Sequence, residues 1–296
     1  MESSMSVQAI AGVARAPFLA LPVTLVAVGT AVAALQGGFN PTRALWALVG
    51  LVALHAAVNA FNEASDFRTR IDFATRRTPF SGGSGTLPEG RLSHRAALAV
   101  AITGSLVGLA VGVGFLPLVG WKLVPVMVLG ALSVLAYTDL LARLWIGELF
   151  AGLGLGLLPV AGTALVQTGS VNATVIAASL PAFFMTFNLL LLNEFPDEAA
   201  DREGGRRNLV LLLGRRGAAT LYVVAALMVP ASLVVSVLLD LLPATSLLAI
   251  LPALLLVPPF RWALGRPAEE LPHSALGANV VWILVTNLVL AGSLLL

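Results

Sequence analysis

The chain has no cysteine and little charge. The first absence removes disulfides, thiol catalysis and cysteine metal sites together. The second says more: 11% of the 296 residues are charged, against roughly 25% in soluble domains. By contrast 58% are hydrophobic, and the mean hydropathy is +0.94. Such a chain belongs in a lipid bilayer. The formal net charge of +2 is too small to argue for nucleic acid, so none is expected as a partner. A glycine-rich stretch, TPFSGGSGTLPEGRLS from Thr78 to Ser93, lacks the Gly-Lys-Ser/Thr ending of a P-loop and follows no strand. It reads as a flexible loop over a site, with Ser93 capping the helix that follows.

A helix needs about 20 mostly apolar residues to cross the hydrocarbon. Spans fall on that rule at about 17–36, 43–64, 95–115, 118–138, 146–167, 172–194, 217–239, 243–264 and 273–296. The fold class is therefore all-α, a polytopic membrane bundle of nine transmembrane helices forming one unit over residues 1–296. The N-terminal apolar run is longer than a signal-peptide core and further spans follow, so it reads as an uncleaved first span. When nine spans alternate, every arginine except Arg43 falls on one side, and only Arg43 and Lys122 fall on the other. By the positive-inside rule that side is cytoplasmic, which puts the N-terminus and both charged loops there, in the cell membrane. Gly104, Gly108 and Gly112, and again Gly152 and Gly156, recur at every fourth position and predict close helix packing. Asn172-Ala173-Thr174 matches a glycosylation acceptor, but in so tight a turn it reads as a chance match.

The scarce charges collect in two places, about 62–93 and 193–216. Asn62-Glu63-x-x-Asp66 and Asn193-Glu194-x-x-Asp197 share one pattern, and each ends an even-numbered span, as in a parallel internal repeat with a site between its halves. Positions four apart share a helix face. His55, Asn59, Asn62 and Asp66 thus form a polar stripe on the second span, and Asn193, Asp197 and Asp201 one on the sixth, where Pro196 predicts a kink or a new turn. Hard divalent cations take oxygen ligands, and Mg²⁺ is typically held by one or two carboxylates plus substrate phosphate oxygens. Arginine forks suit phosphate directly. Acids that collect Mg²⁺ and arginines that neutralise the remainder describe a diphosphate site, and its place at the membrane edge implies a lipid tail. The plainer reading is a pair of solvated loops whose acids and arginines pair with each other; two copies in register, each continuing a stripe into a span, favour the site.

These residues resemble the UbiA superfamily of intramembrane prenyltransferases, and most of all its MenA-like branch. Asn59-x-x-Asn62-Glu63-x-x-Asp66 followed by Asp72 is similar to the branch's first motif. Tyr137-Thr138 with Gly147-Glu148 resembles its central elements. Asn193, Asp197 and Asp201 with GGRRNLVLLLG resembles its second motif and the run after it. The likeness covers about 55–216; there Glu63 stands where an aspartate is usual, Ile71 where a glycine is, and Asn208 where a threonine is. The resemblance implies Mg²⁺ held by Asp66 and Asp72 on one side and Asp197 and Asp201 on the other, with Asn62, Glu63 and Asn193 assisting. It further implies an isoprenyl diphosphate donor, an aromatic or quinone-precursor acceptor, and diphosphate contacts drawn from Arg68, Arg76, Arg77, Arg143, Arg206 and Arg207, beside Asn59 and Tyr137. His55 is either an acceptor-orienting group or a packed core histidine, and Glu148 either faces the cavity or pairs with Arg143. A terpene cyclase using the same diphosphate site, and more distantly an ion-coupled transporter, are the competing readings.

Overall fold

The computed structural model describes residues 6–75, 77–78, 80–137 and 140–296; Arg76 and Thr138 lie outside these. Helices follow one another along the described chain: α1 (Val7–Val13), α2 (Ala20–Leu35), α3 (Pro41–Thr69), α4 (Ile71–Ala74), α5 (His94–Val119) and α6 (Val124–Ala131). Then come α7 (Gly147–Gly152), α8 (Leu158–Thr168), α9 (Ala173–Glu203), α10 (Leu209–Leu238), α11 (Val257–Gly265) and α12 (His273–Ser293). A π-helical turn, Leu132–Ala136, extends α6, a second, Leu153–Leu157, joins α7 to α8, and a 3₁₀ stretch, Ala244–Leu256, leads into α11. Asn40, Ser93, Asn172 and Asn208 start α3, α5, α9 and α10, each accepting a backbone N–H three residues on. Such caps satisfy donors that a helix start otherwise leaves free. Ser93 thus caps α5 as the sequence predicts, and Asn172 has a structural task at the head of α9.

Among the described residues eight helices are long and apolar enough to cross a bilayer. The difference from nine lies in His94–Ala136, one helical run of 43 residues, which at 1.5 Å per residue would be about 65 Å long, twice a hydrocarbon core. The run is broken at Gly120 (φ 67°, ψ −155°). A methyl built on Gly112 would stand 3.0 Å from Met127 Cε, a contact that a straight helix would forbid at such a separation in sequence. The chain therefore turns back at Gly120, and α5 and α6 are two legs.

The packing is that of a membrane bundle. Large side chains such as Val128, Val235, Leu238 and Leu254 face outward, as on a lipid-facing surface. Inside, Leu25, Val160, Val175, Met185, Leu233 and Trp282 knit α2, α8, α9, α10 and α12 together. The glycine pattern serves close approach: a Cβ on Gly104 would lie 2.6 Å from the Ala53 carbonyl of α3, and one on Gly152 2.9 Å from the Phe183 ring of α9. The motif-bearing helices are the long ones. With 29, 31 and 30 residues, α3, α9 and α10 are each longer than a hydrocarbon core requires. Pro196 does not end α9, which continues to Glu203, so both acidic motifs lie on helix and not on loop.

A buried polar chain ties α9, α10 and α12. Asn188 Nδ2 donates to the Tyr222 carbonyl (2.9 Å), and Tyr222 Oη donates to Asn279 Oδ1 (2.9 Å). All three residues are at most 1% exposed. Interhelical hydrogen bonds of this kind are worth about 0.6 to 2 kcal/mol, and an orphaned partner adds to the loss. Tyr222→Phe is therefore expected to destabilise the bundle by about 1 to 2 kcal/mol. Unfolding in mild detergent measures this, and an unchanged transition would contradict the network's role.

Candidate active site

The acidic faces of α3 and α9 meet across one arginine. Arg206, in the turn between α9 and α10, donates from Nη2 to Asn62 Oδ1 (3.0 Å) and to Asp66 Oδ1, and its Nη1 lies 3.6 Å from Asp201 Oδ1. It is thus tied to both motifs at once. Burial works against a charged guanidinium, but Asp66 and Asp201 hold the Arg206 proton more firmly than usual. The turn that carries Arg206 is itself fixed. Asn208 caps α10 through Oδ1 while its Nδ2 donates to Asp201 Oδ2 (2.9 Å). Leu209 N donates to Glu148 Oε1 (2.6 Å), and Arg207 N to the Ala142 carbonyl (3.0 Å). Asparagine in place of the familiar threonine at 208 therefore supplies a cap and an amide for Asp201 together.

Asp72 reaches the same region from α4. The chain leaves α3 through Arg70 in the left-handed conformation (φ 65°), and Ile71 packs so closely on Gly204 that any side chain there would collide with it. Isoleucine at 71 is accommodated because its neighbour across the site is glycine. Gly83 (φ 73°) crosses over Asp72, and a Cβ on it would lie 2.6 Å from Asp72 Oδ1. Burial pushes the Asp72 carboxyl up to about 7, and the negative charges of Asp66 and Glu63 add to the shift. Among the described residues Asp72 Oδ2 and Asp197 Oδ1 are buried with no hydrogen-bond partner, and Asp201 Oδ1 has only the Arg206 guanidinium at 3.6 Å. Buried carboxylate oxygens without donors are costly unless a cation meets them.

Carboxylate oxygens are the kind of donor that hard divalent ions take. Among the described residues no three acidic or histidine side chains close up into a ready cage, because Arg206 stands between the two helices. This arrangement fits an ion completed by ligand oxygens better than one held by protein alone.

Glu63 takes a different place from the one expected of a metal ligand. It is fully buried, and its oxygens are occupied: Oε1 accepts from Arg15 Nε (2.9 Å) and Ser84 N (2.7 Å), and Oε2 from Ser84 Oγ (2.8 Å). Asn59 likewise donates to the Ala14 carbonyl (2.9 Å) instead of pointing to an open site. Together they dock α1 and the glycine-rich loop onto α3, so that loop is a pinned cover. The longer reach of glutamate than aspartate allows this. The N-terminal arm was missed in the sequence, where only the charge of Arg15 was legible; its backbone at φ 50° has no sequence signature.

The remaining residues divide. Asn193 and Asp197 are half-buried on α9, and Tyr137 is half-buried close to the position of Gly147. Arg143 approaches Gly205, with Nε buried and unpartnered. Arg77 pairs with Glu89 (2.6 Å), and Arg68 is exposed beside Ser65 and His94. Arg207 is exposed, and its backbone N donates to the Ala142 carbonyl. His55 is buried two turns deeper on α3, in the wall of an apolar cavity of ≈ 420 Å³ between α3, α5, α6 and α8. Glu148 accepts from Leu209 N of α10 and lies against the Glu194 carboxyl of α9.

A multi-pass membrane protein with two acidic helices crossing over an arginine belongs to a recognisable class. Residues 20–290 match the UbiA prenyltransferase family, and the chain belongs to that family. It is 28% identical over 171 residues to the 1,4-dihydroxy-2-naphthoate octaprenyltransferase of Bacillus subtilis, covering 57% of this chain and about half (54%) of that protein. It is also 28% identical over 284 residues to the enzyme of the same name from Escherichia coli, covering 93% and 91%. The fold matches that of an apo UbiA homologue from Aeropyrum pernix, with a TM-score of 0.70 at 21% identity over 91% of this chain and 96% of that one. It also matches a UbiA homologue from Archaeoglobus fulgidus bound to GPP and Mg²⁺, with a TM-score of 0.65 at 14% identity over 97% and 99%.

If Glu63 pins the cover and holds no metal, Glu63→Ala frees Ser84 and Arg15 together. Trypsin cleavage after Arg77 or Arg91 should then accelerate at least tenfold, as expected for local opening that loses a buried charged network. Peptide mapping reads the sites. Equal cleavage rates in wild type and variant would remove the clasp.

Proposed function

We propose that the protein is an intramembrane prenyltransferase that moves an isoprenyl group from its diphosphate to an aromatic or quinone-precursor acceptor. The observation that carries this reading is Arg206 held between Asn62, Asp66 and Asp201, with oxygens of Asp72 and Asp197 nearby that have no hydrogen-bond partner among the described residues. The curated relatives named for naphthoate octaprenyl transfer support the acceptor class, and the Archaeoglobus homologue with GPP and Mg²⁺ supports the donor and the ion. Asp66, Asp72, Asp197 and Asp201 would hold Mg²⁺, with Asn62 and Asn193 as neutral ligands or orienting groups. Bound there, Mg²⁺ would neutralise charge on the leaving diphosphate.

The chain's own residues do the rest. Arg206, with its charge secured by two carboxylates, is placed to exchange one of them for a phosphate oxygen and to stabilise negative charge as the C–O bond breaks. Arg143 has an unpartnered Nε for the same task. The pinned cover of α1 and the loop from 81 to 87 limits water above the site, and the apolar cavity does so below, which preserves an allylic cation for attack by the electron-rich acceptor. The motifs face the cytoplasm in this reading, in a cell membrane.

Asp66→Ala and Asp197→Ala are each expected to abolish transfer while folded protein is retained, followed as prenylated product from geranylgeranyl diphosphate and 1,4-dihydroxy-2-naphthoate. Near-normal turnover in either would overturn the two-helix site. Chelation with EDTA should stop product formation and Mg²⁺ restore it. A product lacking acceptor atoms would instead assign a cyclase.

A further inference from the structure

A second, smaller pocket opens at the motif-bearing end of α3 but on its other side. Arg68, two positions on from Asp66, is turned about 200° around the helix, so it leaves α3 away from the acidic rim. The pocket holds ≈ 100 Å³ between Phe61, Ser65 and Arg68 of α3, His94 and Leu98 of α5, and Leu135 of the π-helical turn after α6. Arg68 is exposed and His94 half-buried. Polar atoms make up the greater part of the pocket's open wall, and no carboxylate lines it. The His94 ring stacks on Phe67 with 6.2 Å between centroids, which holds it at the pocket. His94 is also the first residue of α5, where the helix dipole is positive. A hollow with this lining suits an anion.

An apolar lane descends from it. Leu98, Ile102, Leu106 and Leu109 follow at helical spacing on one face of α5. The last three line the mouth of the apolar cavity, whose wall also includes Phe61 and Leu135 of the pocket. They are 51%, 59% and 52% exposed, so the lane is open sideways, toward lipid. From Leu98 to Leu109 α5 rises about 16 Å, close to half of a hydrocarbon core of about 30 Å. The charged hollow therefore stands at the head of a lane one leaflet deep. A free phosphate would use the hollow alone. A zwitterionic headgroup would bring an ammonium against Arg68, whereas a lipid with an anionic headgroup matches both hollow and lane.

We infer that pocket and lane together bind one anionic phospholipid, its phosphate at Ser65, Arg68 and His94 and an acyl chain along Leu98, Ile102, Leu106 and Leu109. The inference is independent of the transferase reading. Native mass spectrometry of the full chain, with dioleoyl phosphatidylglycerol and dioleoyl phosphatidylcholine at equal concentration, tests it. The wild type should retain the phosphatidylglycerol in preference. The double variant Arg68→Gln with His94→Gln should weaken that binding about tenfold, as for the loss of a hydrogen bond to a charged group, and leave the phosphatidylcholine unchanged. Arg261→Gln, at an exposed cation outside the pocket, should keep it. Equal retention of the two lipids by the wild type, an unchanged double variant, or an equal loss in Arg261→Gln would overturn the site. Displacement of the lipid by pyrophosphate or geranylgeranyl diphosphate without Mg²⁺ would assign the hollow to those phosphates and overturn it too. A phosphatidylglycerol carrying a diazirine midway along one chain gives a reading on the wild type alone. Its adducts should map to residues 98–109 of α5, and adducts confined to other helices would contradict the lane.

Discussion

Everything at this site follows from the difficulty of keeping carboxylates together at the edge of a bilayer. Asp66, Asp72, Asp197 and Asp201 converge from two long helices and a short one, and Glu63 and Glu148 are buried nearby. Like charges so placed cannot all stay ionised without cations. Arg206 is the one shared between the two motifs, tied to Asn62 and Asp66 on α3 and to Asp201 on α9. Its position depends on Asn208, Glu148 and the Ala142 carbonyl, so the central connector, the α10 cap and the second motif form one mechanical unit. A guanidinium that already bridges two carboxylates is poised to give one up to a phosphate at small cost, because the incoming anion replaces the charge it loses.

The bundle supports this by making its motif helices too long for the membrane. Extra turns at the ends of α3 and α9 lift the acids out of the hydrocarbon while keeping their spacing rigid, which loops could not do. The same extension leaves the rim open above, and Glu63 closes it by fastening both α1 and the glycine-rich loop. Below the rim the cavity wall is mostly apolar, with His55, Ser105, Ser133 and Thr163 its polar side chains. Polar chemistry and apolar recognition are therefore stacked along one helix face.

Much of this was readable in the residues. The apolar runs and the four-residue spacing of Asn62 with Asp66 and of Asn193 with Asp197 are local patterns, which sequence carries well, whereas the turn at Gly120 falls inside the run read as the fourth span. The special place of Arg206 was not, since six nearby arginines have equal claims until the α9–α10 turn is closed by contacts 61 residues apart, from Leu209 to Glu148. The partners of Glu63 were hidden for a related reason. Its motif position fits a ligand, but its partners, Arg15 and Ser84, lie 48 and 21 residues away. Pro196 was expected to disturb α9, yet packing carried the helix on to Glu203. Asn188 carries no motif of its own and became visible only by burial.

The central claim is that two acidic helices act as one site through Arg206. Its most direct test is the affinity for pyrophosphate in the presence of Mg²⁺, measured by calorimetry for the wild type, Asp66→Asn, Asp201→Asn and the double variant. If Arg206 couples the helices, the two losses are not additive, with an interaction of about 1 kcal/mol or more. Strictly additive losses would mean that the two motifs act independently and would contradict the account.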